Sequence, residues 1–186
     1  MPLQIKHLDF RFENSLVKAV ANRNYPETKL AGLTVGPFEE GNEYEIYYWV
    51  AEKLAEQGIV HFREDSRFGA TELYKVQWKE RVQVAGQISE LPEDFYPKLR
   101  RYLKDAKTKI TQQAEPTKVQ DYQKIKHLTG DIINSRLKKI VTLSSGPIQT
   151  DQIVKKLTPE EKQIYDQLTK IIHNWRNRIL QHDNEE

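Results

Sequence analysis

Residues 29–60, KLAGLTVGPFEEGNEYEIYYWVAEKLAEQGIV, decide how the first third of this chain folds. Leu30 to Val35 is an apolar run that predicts one buried strand, and Gly36-Pro37 ends it. A Glu/Gly/Asn turn follows. From Tyr47 to Gln57 the period changes to helical: Val50, Ala51, Leu54 and Ala55 share one face, while Glu52, Lys53 and Glu56 lie outside it. Gly58 suits a helix end, and Ile59 to Phe62 returns as a strand. The stretch holds no nucleophile with a base, no cluster of metal ligands and no phosphate loop. It predicts a small β-rich module with a binding or assembly role.

Working outward, Leu16 to Ala21 is strand-like, and Asn22 to Glu27 forms a turn around Pro26. Beyond Thr71 the period is helical throughout. One helix is expected from Thr71 to about Ile88. The start signal Ser89-Glu90-Leu91-Pro92-Glu93-Asp94 then opens a second, from Glu93 to about Ile110. On it Phe95, Leu99, Tyr102, Leu103, Ala106 and Ile110 share a face opposite Arg100, Arg101, Lys104 and Lys107. Thr111 to Lys118 is expected as a polar connection.

A third helix, from about Val119 to Leu143, spreads Ile125, Leu128, Ile132, Ile133, Leu137, Ile140 and Val141 over roughly 200° of its circumference, where a surface helix shows a stripe of about 100°. It is expected to be buried on more than one side. After Gly146-Pro147, Thr158 is placed as an N-cap with Pro159 at the first helical position and Glu161 set for a capping box. The last helix is expected to bury Ile164, Leu168, Ile171, Ile172, Trp175 and Ile179. Four helices of these lengths make a bundle. The fold class is α+β: a β-rich domain with one helix over residues 1–65, then an all-α bundle over 66–186.

Composition narrows the function. Charged residues make up 30% of the 186, and mean hydropathy is −0.75. No apolar run approaches the ~20 residues of a membrane span, and MPLQIKHLDF does not resemble a secretion signal. Cysteine is absent, so disulfides and thiolate metal sites are excluded. A cytoplasmic protein is the expectation. Through Asp65 there are 7 Lys/Arg against 11 Asp/Glu; the remainder has 22 against 16. That split suggests two modules with different partners.

The landmarks together resemble a family. Leu33-Thr34-Val35-Gly36-Pro37-Phe38, then Gly41, Glu45-Ile46, Trp49, Ala51 and Leu54, resemble the small B domain of GINS subunits. Leu91-Pro92-Glu93-Asp94-Phe95-Tyr96 opens a helix much as the GINS A domain does. Ile132-Ile133-Asn134-Ser135-Arg136-Leu137-Lys138-Lys139-Ile140 is similar to that domain's long helix, and Leu157-Thr158-Pro159-Glu160-Glu161 to the start of its final one. The likeness covers roughly residues 8–180, and its order, B then A, matches the archaeal subunit of the two-three type. The resemblance implies a non-catalytic replication factor without cofactors, associated with the nucleoid. It implies a heterotetramer with a reversed-order subunit, two copies of each, bridging the MCM helicase and a RecJ-like protein. The alternative is a free-standing nucleic-acid-binding protein that uses the basic helical half.

Several residues carry site expectations. Ile133, Leu137 and Val141 form the outer edge of the long helix's apolar arc and are the candidate subunit interface, with Tyr165 flanking them. Gly36, Pro37, Phe38 and Trp49 are the signature of the small domain; the simplest reading is a tight turn whose Phe38 packs on Trp49 as a core anchor. Glu39, Glu40, Glu43 and Glu45 read as a solvated acidic loop. Arg100, Arg101, Lys104 and Lys107 form a basic face suited to DNA or an acidic partner, although no aromatics interleave them for base stacking. His7, His61, His127, His173 and His182 show no metal-ligand spacing, and no acid/base or nucleophilic pair stands out.

Overall fold

A computed structural model of the chain describes residues 2–63, 68–82, 87–112, 115–147 and 151–181. The expected junction at residue 65 and His182 lie outside these. The chain divides into two compact units, Met1–Phe68 and Gly69–Glu186.

The first unit begins with an unexpected helix, α1 (Pro2–Glu13). Its cause is legible afterwards: Ile5, Leu8 and Phe12 recur at helical spacing. Phe12 is buried against the Tyr48 ring at 4.6 Å, and Tyr48 in turn stacks on Phe62 at 5.3 Å. Three antiparallel strands follow in the order β4 (Glu43–Tyr47), β1 (Leu16–Ala21), β5 (Val60–Phe62). The register sets Ala19 opposite Tyr44 on one side and Phe62 on the other. Ala19 and Ala21 point into the core, where Val50, Ala51 and Leu54 of α2 (Tyr48–Glu56) meet them.

The expected single strand over residues 30–35 is instead a hairpin. β2 (Thr28–Leu30) pairs with β3 (Leu33–Val35) across a two-residue turn. The turn residues Ala31 and Gly32 both have positive φ, +48° and +84°, the combination that a right-twisted hairpin favours. Gly36 sits at φ +93°, and a Cβ there would come within 3.2 Å of the Phe38 ring and 3.3 Å of the Glu27 backbone. Only glycine fits. Phe38 then exchanges two backbone hydrogen bonds with Tyr25, each 2.8 Å, and its ring is the most deeply buried aromatic of this unit.

The second unit contains α3 (Ala70–Val82), α4 (Phe95–Gln112), α5 (Pro116–Ser145), the short α6 (Asp151–Val154) and α7 (Pro159–Gln181). The expected first helix stops earlier than Ile88: residues 87–94 are not helical. The polar connection is shorter than expected, because α4 continues to Gln112 and Pro116 opens α5. Pro lacks the N–H that a first-turn position does not need. At 30 residues α5 is about 45 Å long and packs on α3, α4 and α7. Ile88, Ile140, Leu143, Leu157 and Tyr165 form a core cluster, with Ile153, Val154, Ile164 and Leu168 packed around it.

Candidate subunit interface

At the centre of the helical unit lies Arg136 on α5, 1% exposed. Its Nε and Nη2 donate to the two carboxylate oxygens of Glu161 at 2.7 and 2.6 Å, the bidentate geometry that a planar guanidinium favours. Its Nη1 donates to Glu80 Oε1 at 2.8 Å and to the Ser89 carbonyl at 2.7 Å. The Ser89 hydroxyl donates to Glu80, and Lys139 Nζ donates to the other Glu80 oxygen at 2.6 Å. The Tyr96 hydroxyl donates to Glu161 at 2.8 Å. Glu161 also accepts the Thr158 backbone N–H at 3.1 Å, and its own N–H donates to the Thr158 hydroxyl at 3.3 Å, which is the expected capping box. Two carboxylates and two cations balance, so the cluster is neutral.

Burial pushes the Glu80 carboxyl up, but the Lys139 ammonium, the Ser89 hydroxyl and Arg136 outweigh it and hold the group below the ordinary carboxylate range. Burial opposes the Arg136 charge as well, and the Glu161 and Glu80 carboxylates more than restore it. The Tyr96 phenol is pushed up by burial and by the neighbouring Glu161 charge, so it stays a donor. Nothing here is open to a substrate. The cluster's effect is mechanical: it fixes the rotational setting of α3, α5 and α7 by hydrogen bonds that only one setting satisfies.

That setting determines which side chains face outward. Ile133, Leu137 and Val141 form an exposed stripe along α5, with Leu137 43% exposed. Two other helices carry stripes with the same i, i+4, i+8 spacing. On α3 it is Tyr74, Trp78 and Val82; on α7 it is Ile171, Trp175 and Ile179, beside Leu180. Trp78 and Trp175 are 67% and 63% exposed. Single exposed apolar residues are ordinary, whereas stripes of them rimmed by charge mark surfaces meant to be covered.

Two expectations are corrected. Ile171, Trp175 and Ile179 are not buried in their own bundle. Glu161 meets Arg136, and further on Arg176 reaches back to the Ser145 carbonyl at 2.7 Å; α7 therefore runs parallel to α5 and continues past its end, where no other helix among the described residues covers it. Tyr165 does not flank the outer surface: at 8% exposed it belongs to the internal core. The α3 stripe was not among the expected sites; its signal in the sequence is the spacing of four between Tyr74, Trp78 and Val82.

The remaining residues separate. Phe38 is buried edge-on to Tyr44 at 4.9 Å, and Trp49 is only half-buried at the margin of that core. The anchor of the small unit is therefore Phe38, not Trp49 as expected from the sequence. Gly36 and Pro37 shape the turn that delivers it. In the acidic loop, Glu43 is bound at 3.0 Å by both Lys18 and Arg63, and these bonds hold its carboxyl below the usual range. Arg100 leaves the basic face to pair with Glu160 on α7 at 3.4 Å, and Arg101 is half-buried; Lys104 and Lys107 are exposed. No group of three or more His, Cys, Asp or Glu suited to a metal occurs among the described residues, and no helix among them is long and apolar enough to cross a membrane.

The comparison with protein families places this architecture. The Sld5 model, described as the GINS complex protein helical bundle domain, matches residues 67–180, well over half of the chain. No curated protein matches it. The matched segment contains the Arg136 cluster and all three apolar stripes. The chain belongs to the GINS family, and is a subunit of a DNA replication complex.

Proposed function

We propose that this chain is the archaeal two-three type of GINS subunit, a non-catalytic scaffold that assembles with a reversed-order subunit, two copies of each. In this reading the tetramer links the MCM helicase ring to a RecJ-like protein at the replication fork, in the cytoplasm at the nucleoid. The observation that carries it is the trio of exposed apolar stripes held in fixed orientation by a buried, fully paired ion cluster. A monomer gains nothing from orienting Trp78, Leu137 and Trp175 toward water. A partner that buries them gains about 25 cal/mol for each Å² of apolar area removed from water. The small unit, which precedes the helical one, supports the B-then-A order.

Co-expression with a reversed-order GINS subunit, followed by mass measurement in solution, tests the reading. The expected product is a two-plus-two complex. Leu137→Glu would place a carboxylate in the contact at a cost set by its desolvation, so it should weaken co-purification while helical dichroism is retained. A monodisperse monomer that ignores every such subunit, and binds no hydrophobic dye, would refute the assembly.

A further inference from the structure

The hairpin formed by α4 and the first part of α5 concentrates the positive charge of the whole chain. Residues 98–127 contain nine Lys/Arg and three Asp/Glu, a net of +6, while the other residues together net −4. The helical register shows how this charge is presented. Arg100 contacts Glu160, and Arg136 contacts Glu161, so the start of α7 rests on a face shared by α4 and α5. From there α7 runs away from the hairpin's tip. Followed toward the tip, the α4 stripe continues from Arg100 to Lys104, Lys107 and Thr111, at i+4, i+7 and i+11. On α5 the stripe through Ile133 leads back seven residues to Lys126. Lys104, Lys107 and Lys126 are exposed, and none has an ion-pair partner among the described residues. Lys118 and Lys124 add two cations beside exposed carboxylates of the same segment, Glu115 at 3.2 Å and Asp121 at 3.5 Å.

We infer that this hairpin binds the phosphate backbone of nucleic acid, with Lys104 and Lys107 of α4 and Lys126 of α5 as its principal contacts. The inference does not depend on the subunit assembly above. An acidic protein would need a desolvated apolar centre to hold it, and between residues 98 and 127 Val119 is the only large apolar side chain exposed among the described residues. The surfaces suited to protein are the stripes on α3, α5 and α7. Phosphates need only charge, because binding is driven by release of condensed counterions. From Lys98 to Lys109 the helix spans about 17 Å, the length of roughly five phosphates along one strand. Lysines act as point charges rather than forked donors, and no base-reading side chains accompany them. The contact is therefore indifferent to sequence.

The test uses the full chain and fluorescence anisotropy with a labelled mixed-sequence duplex, and in parallel a single strand, between about 50 and 200 mM salt. Wild type should bind one of the two with an affinity that falls steeply with salt. The triple variant Lys104→Glu, Lys107→Glu, Lys126→Glu should lose about tenfold or more in affinity at the lowest salt, and its log–log salt slope should flatten by about 2 to 3. A charge-matched control, Lys155→Glu, Lys156→Glu, Lys170→Glu, should lose much less. Dichroism confirms that both variants fold. Equal losses in the two triples would assign the binding to net charge and overturn the site. So would an absence of wild-type binding, or capture of polyglutamate in preference to both nucleic acids.

Discussion

Arg136 illustrates how one residue can organise a bundle without contributing apolar area. Its guanidinium and the two carboxylates it joins are all removed from water, which costs each ion several kcal/mol before pairing returns any of it. Removing one partner leaves the others buried and uncompensated. Arg136→Met should therefore destabilise the helical unit by about 3–5 kcal/mol in urea denaturation. Arg136→Lys should also lose much of that, because an ammonium cannot span the fork that Glu161 presents at 2.6 and 2.7 Å. The pH dependence follows from Glu80. Its folded value lies below the ordinary 4.5, so its contribution is complete above about pH 4.5 and is lost as the pH falls toward the lowered value. Urea midpoints measured on the acid side of 4.5 should fall less steeply in Glu80→Gln than in wild type. A parallel slope would mean that Glu80 carries no differential charge. In the sequence, an arginine next to Leu137, Lys138 and Lys139 looks like part of a solvated basic run, since a charged residue is buried only when its partners are in place. Those partners lie 56 and 25 residues away, and local periodicity cannot show them.

At the scale of elements, the signals that survived were the ones written into a single turn of chain. The Thr158–Glu161 capping box and Pro159 were legible because both partners lie within four residues, and Thr158→Ala should cost the bundle about 1 kcal/mol, measured as a shift in the urea midpoint. At residues 30–35 a continuous apolar run hides a two-residue turn; Gly32 is its signal in the sequence, and Leu30 pairs with Leu33 across it. Helix α1 has a weaker signal, three residues on one face: Ile5, Leu8 and Phe12. The exposed face of α7 is illegible for a different reason: amphipathic spacing shows that a face seeks cover but does not say whether its own chain supplies it. Trp175 distinguishes these cases experimentally. Trp175→Ser should change the stability of the isolated chain by no more than about 0.5 kcal/mol, as exposed positions do, yet it should lower the yield of complex with a partner subunit. A large loss of stability in the isolated chain would place Trp175 inside the fold.

At the scale of the molecule, the chain contains two separately closed cores built on different principles. The small unit buries Phe38 among Ala19, Ala21, Val50, Ala51, Leu54, Ile59 and Val60, an apolar core with an aromatic at its centre. The helical unit joins an apolar cluster around Ile140 and Leu143 to the ion network at Arg136. Truncating a buried Phe removes its transfer free energy and leaves a cavity, together worth about 3–5 kcal/mol. That is a large share of what a domain of under 70 residues can hold in reserve. Phe38→Ala should therefore open the small unit while leaving the helical one folded, and Arg136→Met should do the reverse. Hydrogen exchange read peptide by peptide separates the two. Phe38→Ala should raise exchange in β1, β4, β5 and α2 and leave α5 at its wild-type rate; Arg136→Met should raise it in α3, α5 and α7 and spare the sheet. If either substitution releases protection across both units, their folding is one cooperative event, and the division of the chain into two cores has no energetic meaning.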